Sequence, residues 1–164
     1  KLEPNKYETF FSKSHKIKHQ LYMSYIEGKK HITLIDGYTY EMMKYCDLLI
    51  CTSGTVTLEA AFIGTPLLIC YKANFTSYLI GRHLVKIKRI GLPNIILDND
   101  ILLELIQKEM NPSNIYKIGM QILNDPEKNE EIRKQLYKLK ALLSDKHPYV
   151  QMPKIVRHLL DTYD

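Results

Sequence analysis

The sequence predicts an α/β protein, an incomplete doubly wound parallel sheet followed by a helical C-terminal tail. Two observations carry that prediction. Short, continuously apolar runs such as Leu48–Cys51 and Leu67–Tyr71 alternate with helical patterns, and strands apolar on both faces belong to parallel sheets covered on both sides. After Leu97 only helical periodicity remains.

In chain order, the first helical pattern runs from about Lys6 to Ile26 and is closed by Gly28. His31–Ile35 is a β-type run stopped by Asp36-Gly37. Tyr40–Tyr45 is a short helix, Leu48–Cys51 a buried strand, Val56–Ile63 a helix and Leu67–Tyr71 a second buried strand. Phe75–Val85 carries an apolar helical face. Leu92-Pro93-Asn94 is a turn beside a short extended run, Ile95–Leu97. Ile101–Glu109, Asn114–Leu123, Glu127–Leu143 and Val150–Leu160 are helical patterns, with Asn111-Pro112-Ser113 and Asp125-Pro126 as breaks and caps. The expected division is a Rossmann-like unit over 1–124 and a helical tail over 125–164. The series opens with a helix where a βαβ series opens with a strand, and the first residue is not methionine. Three or four strands also fall short of the roughly five or six of a complete doubly wound sheet. The expectation is that one or two leading strands lie outside this sequence.

At 164 residues the chain suits one domain or part of a larger protein, and 45% hydrophobic with 25% charged residues excludes disordered and rod-like classes. No apolar run is long enough to cross a bilayer, and the polar start KLEPNKYETF does not read as a signal peptide. The net charge is +5, with clusters at Lys13–Lys18 and Arg82–Arg89. Solvated helix faces account for most of it, and attraction to phosphates or an anionic membrane is the functional reading. No aromatic-flanked basic motif or zinc pattern supports nucleic-acid binding. Cys46, Cys51 and Cys70 have no metal-like spacing, and such an unpaired set suits a reducing cytosol. His15 and His19 read as a surface pair. No cofactor or metal is predicted.

The stretch Leu49–Tyr71, LICTSGTVTLEAAFIGTPLLICY, holds the candidate site. Ligands of open α/β sheets sit beyond the carboxyl ends of the strands. Thr52–Thr55 lies at such an end and at a helix start, where unpaired N–H groups suit a phosphate. Gly54 permits close approach, and Ser53, Thr55 and Thr57 offer hydroxyls. Glu59, one turn on, suits two adjacent sugar hydroxyls. The residues read as a nucleotide clamp, with diphosphate on the turn and ribose on Glu59. Taken alone, the turn is better read as a plain helix cap with a surface glutamate, and neither a P-loop nor a G-x-G-x-x-G fingerprint is present.

The stretch belongs to a longer ordered set: Asp36-Gly37, Glu41, Met43, Asp47, SGTVTLEAAFIGTP, Tyr71-Lys72, Leu84-Val85-Lys86, Leu92-Pro93-Asn94, then Glu104 and Gln107. From about Leu34 to Gln107 this closely resembles the C-terminal half of lipid-A-disaccharide synthases. The resemblance implies the C-terminal Rossmann-like domain of a two-domain GT-B glycosyltransferase. It implies transfer of 2,3-diacylglucosamine from UDP-2,3-diacylglucosamine to 2,3-diacylglucosamine 1-phosphate (lipid X), releasing UDP. That is a step of lipid A, hence lipopolysaccharide, biosynthesis on the cytoplasmic side of the inner membrane. By position, Asp36, Gly37 and Tyr38 would border the uracil. Ser53, Gly54 and Thr55 would meet the diphosphate and Glu59 the ribose, while Tyr71, Lys72, Asn94, Glu104 and Gln107 would line the donor cleft. No D-x-D cluster stands out, so metal-independent transfer is the expectation. The apolar-plus-basic stretch of Phe75, Tyr78, Leu79 and Ile80 with Arg82, His83, Lys86, Lys88 and Arg89 suits a peripheral membrane contact.

Departures from the family pattern are Lys72 where an arginine is usual, Gly91 where a serine is usual, and Leu97-Asp98 where Ala-Gly is usual. The N-terminal domain, with the acceptor site and catalytic base, is not in this chain. No residue here is therefore a candidate base, and the chain alone is expected to be inactive. The resemblance further implies packing of the last helix, Val150–Leu160, on that domain, and dimers through the C-terminal regions. The competing readings are another UDP-sugar transferase or epimerase of GT-B type, and a non-catalytic paralogue that serves as a binding module.

Overall fold

The computed structural model describes residues 6–73 and 89–144. In them β1 (Thr9–Ser12), α1 (His19–Ile26), β2 (Ile32–Ile35), α2 (Thr39–Tyr45), β3 (Leu49–Thr52), α3 (Thr55–Ile63) and β4 (Leu67–Tyr71) alternate strand with helix. After them come α4 (Leu92–Leu97), β5 (Glu104–Ile106), α5 (Pro112–Asn124) and α6 (Pro126–Ser144). The expected helices over Phe75–Val85 and Val150–Leu160 lie outside the described residues.

All the described strand pairs are parallel. β1 pairs with β2, Thr9 opposite Ile32 and Ser12 opposite Ile35. β3, β4 and β5 form a second ladder in that order, Leu49 opposite Leu67 and Ile69 opposite Glu104. With two and three strands in separate ladders, the described residues make an incomplete, Rossmann-like parallel arrangement, as the sequence predicts.

Three elements correct the sequence reading. Within the helix expected over Lys6–Ile26, Thr9–Ser12 is a strand, and the helix begins only at His19. Four β-branched, aromatic and hydroxyl residues are too few to show periodicity of their own. Pairing decides: Thr9 N–H donates to His31 O and Lys13 N–H to Ile35 O. The extended run expected at Ile95–Leu97 is instead the end of α4. Pro93 sits in that helix's first turn, where its missing N–H and fixed φ are favourable. The helix expected over Ile101–Glu109 is strand β5, with Leu105 buried between half-buried Glu104 and Ile106. A short apolar run cannot be divided between helix and strand by periodicity alone, and here an open edge of β4 claims it.

β4 carries the core. Leu67 and Ile69 face a cluster with Leu49, Ala60, Ala61, Leu136 and Leu139, which brings in α3 and α6. Leu68 and Cys70 face another with Leu105, Ile115 and Ile118, which brings in β5 and α5. Alternate residues thus point into packed layers on opposite faces. The caps predicted before α5 and α6 are in place: Asn111 accepts from Asn114 N–H at 3.0 Å and Asp125 from Lys128 N–H at 3.0 Å.

Candidate functional site

The site is built where β3 hands over to α3. The Ser53 N–H donates to Cys70 O at 3.3 Å and extends the ladder past Thr52. Gly54 then adopts φ +157° and ψ −170°, a region essentially reserved for glycine. Among the described residues a Cβ built on it would meet nothing within 4 Å, so none of them fills the space before the turn. α3 starts at Thr55 with no side-chain cap. Thr55 is exposed there, and the Thr57 N–H folds back to Gly54 O at 3.1 Å, which leaves the N–H groups of Thr55 and Val56 as the unpaired donors an α-helix start offers. At the far end Gly64 closes the helix in the left-handed conformation.

Two of the expected hydroxyl donors are already bonded within the protein. Thr57 is fully buried and donates to Gly54 O at 2.7 Å, so it braces the turn from within. Ser53 Oγ donates to Ile90 O at 2.8 Å. Glu59 is half-buried on α3. The Glu59 carboxylate acts on Tyr40 of α2 and raises that hydroxyl above its ordinary pKa.

Asp36, Gly37 and Tyr38 follow β2. Lys13, at the end of β1, pairs with Asp36 at 2.5 Å, and this bond holds the carboxyl below its usual pKa. Gly37 and Tyr38 both take positive φ, which turns the chain into α2 and leaves the Tyr38 ring 75% exposed. An exposed ring at a strand end is suited to stacking on a flat base.

The residues expected in the donor cleft divide. Tyr71 and Lys72 are exposed at the end of β4. Asn94 is buried: Nδ2 donates to Leu102 O and Glu104 Oε1, each at 2.8 Å, and Oδ1 accepts from Leu102 N–H at 3.0 Å. It acts as a fastener inside the fold. Glu104 accepts from the N–H groups of Ile90 at 2.8 Å and Gly91 at 3.0 Å. Gln107 clasps Ala73 through two amide hydrogen bonds, accepting at 3.2 Å and donating at 3.3 Å, and so adds a side-chain rung beyond β4 and β5. Arg89, read as part of a basic face, is paired with both Asp98 and Asp100.

Tyr40, Lys13 and the backbone of Ile90 escaped the sequence reading. A backbone group carries no residue-type signal, and no spacing rule joins 40 to 59 or 13 to 36. Among the described residues no group of His, Cys, Asp and Glu is arranged to hold a metal ion, and no helix is long and apolar enough to cross a membrane. Surface grooves at Lys117, Met120 and Lys128 and at Tyr7, Asp47 and Arg133 lie apart from these residues.

The chain matches the family model described as lipid-A-disaccharide synthetase over residues 3–157. It is 40% identical over 121 residues to the lipid-A-disaccharide synthase of Persephonella marina, covering 74% of this chain and 32% of that protein. To the lipid-A-disaccharide synthase of Sulfurihydrogenibium sp. it is 38% identical over 132 residues, covering 80% and 34%. To that of Nitrosococcus oceani it is 38% identical over 120 residues, covering 73% and 31%. The chain spans about a third of the length of the curated relatives it matches.

Proposed function

This chain belongs to the lipid-A-disaccharide synthase family, and on that premise we propose that it is the UDP-holding part of a glycosyltransferase that makes the lipid A disaccharide. The donor is UDP-2,3-diacylglucosamine and the acceptor 2,3-diacylglucosamine 1-phosphate. The observation that carries the reading is the open turn at Ser53–Thr55, set on an uncapped helix start at the end of a parallel strand.

In the transfer, the bond between the sugar's anomeric carbon and the diphosphate breaks and the acceptor hydroxyl takes its place. The leaving UDP gains negative charge. First-turn N–H groups and the positive end of α3 sit where that charge develops and stabilise it. With the Ser53 and Thr57 protons held by backbone carbonyls, the backbone and the Thr55 hydroxyl are the donors on offer. Glu59 takes the ribose hydroxyls and the Tyr38 ring the uracil. The base that activates the acceptor hydroxyl lies on an N-terminal domain, and the whole protein works as a homodimer at the cytoplasmic face of the inner membrane. Residues 1–124 hold the nucleotide. The tail from 125 is divided from them by role and not by packing, since Ile132, Leu136 and Leu139 share the core cluster of β4.

UDP titration by ligand-observed NMR, with AMP as control, tests the reading. Selective UDP binding is the expected result. Glu59→Ala should weaken it by about 1–3 kcal/mol through loss of a charged acceptor. Unchanged affinity in that variant removes Glu59 from the site, and a folded chain that ignores UDP overturns the clamp.

A further inference from the structure

We propose that Glu104 is a positioning residue for the Ser53–Gly54–Thr55 turn and acts through the backbone of Ile90. The proposal rests on the reading above, in which that turn receives the diphosphate. Two side chains grip Ile90 from its two polar ends. Glu104 Oε2 accepts from its N–H at 2.8 Å, and Ser53 Oγ donates to its carbonyl at 2.8 Å. Glu104 Oε1 also takes the Gly91 N–H at 3.0 Å and Asn94 Nδ2 at 2.8 Å. Asn94 is buried and bonded to both backbone groups of Leu102, so the carboxylate is oriented from behind. Gly91 makes the approach possible. A Cβ there would fall 3.0 Å from Glu104 Oε1 and overlap the end of the Ile69 side chain.

The consequence lies in what remains of Ser53. A hydroxyl has one proton to give. Here Ile90 takes it, so Ser53 contributes to a bound phosphate by fixing where the turn begins. The N–H groups of the first turn then converge without rearrangement, which is the preorganisation that makes such dipoles effective. A carboxylate at 104 is needed because three N–H donors converge on it. Glutamine has the same size but would set its own NH2 against one of them.

The experiment compares the 164-residue chain with Glu104→Gln, Ser53→Ala, the double variant and Ser53→Thr, using 15N-labelled protein with and without UDP. Each single variant is expected to weaken UDP binding about tenfold. The double variant should be weaker than either single by no more than about twofold, because both break one relay. Ser53→Thr keeps the hydroxyl and should bind within about twofold of the parent. Without ligand, the amide shifts of Thr55 and Val56 should move in both weakened variants and return in Ser53→Thr. Effects of the two singles that multiply, or turn amides that stay still in Glu104→Gln, overturn the proposal. If Glu104→Gln does not fold, the Ser53 pair decides: an alanine that moves the turn and a threonine that restores it support the relay, and a threonine as damaging as alanine refutes it. A parent chain that ignores UDP while its turn amides respond as described sinks the nucleotide reading and leaves the positioning role standing.

Discussion

The five described strands stand in two unlike settings. β4 has a strand on each side and helices over both faces, and Leu67, Leu68 and Ile69 are wholly buried. Among the described residues β1 pairs only with β2, and its own Phe10 and Phe11 are 39% and 44% exposed. Consecutive strand residues face opposite sides, so β1 is open on both. The candidate site draws on each setting. Its phosphate end, the Ser53–Thr55 turn, grows from the packed ladder. Its base end, Asp36–Tyr38, grows from the open one. The difference teaches that the proposed diphosphate end would rest on a well-packed ladder, and the proposed base end on one with few buried contacts among the described residues.

Substitution in the two ladders tests that contrast most strongly. Leu68→Ala should lower unfolding free energy by about 2–5 kcal/mol, as deletions in a packed core do, whereas Phe11→Ala should cost less than about 1 kcal/mol. Urea denaturation of both variants decides, and equal losses would erase the distinction. A second, smaller test sits at the phosphate end. Gly54→Ala meets no clash but forces alanine into a glycine-only conformation, at a cost of about 1–3 kcal/mol. Thermal melts should show that loss, together with weaker UDP binding. The least effect is expected at the base end. Lys13 holds the Asp36 pKa below its ordinary 3.8. A depressed carboxylate pKa favours the folded state above the unfolded value, and the benefit fades as pH falls through the folded one. Lys13→Met should therefore return the Asp36 pKa towards 3.8, seen by carbonyl NMR titration, and leave stability at pH 7 nearly unchanged because the pair is exposed. A large loss at pH 7 would mean that the open ladder depends on this pair.

The same contrast sorts what the sequence made legible. β3, α3 and β4 were readable to within about one residue, because each is an apolar run or period bounded by Thr-Ser-Gly or Gly-Thr-Pro. β1 was hidden inside a longer helical pattern, since its strand character comes from β2 and not from its own four residues. β5 was hidden because Ile101–Ile106 fits either period until β4 offers it an edge. At the site, residue types were legible and their tasks were not. Asn94 and Glu104 announce themselves as polar residues among apolar ones, yet that they bond to each other and to Ile90 depends on where α4 brings the chain back.

Gly54 holds one more consequence, and it concerns handedness. Torsions of +157° and −170° are close to the mirror image of an ordinary extended residue. For one residue the chain has the opposite hand, between a right-twisted strand and a right-handed helix. A D-alanine placed there by chemical synthesis would find its torsions ordinary where L-alanine finds them forbidden. The demand at position 54 is thus for a chirality that ribosomal synthesis lacks, and glycine meets it by having none.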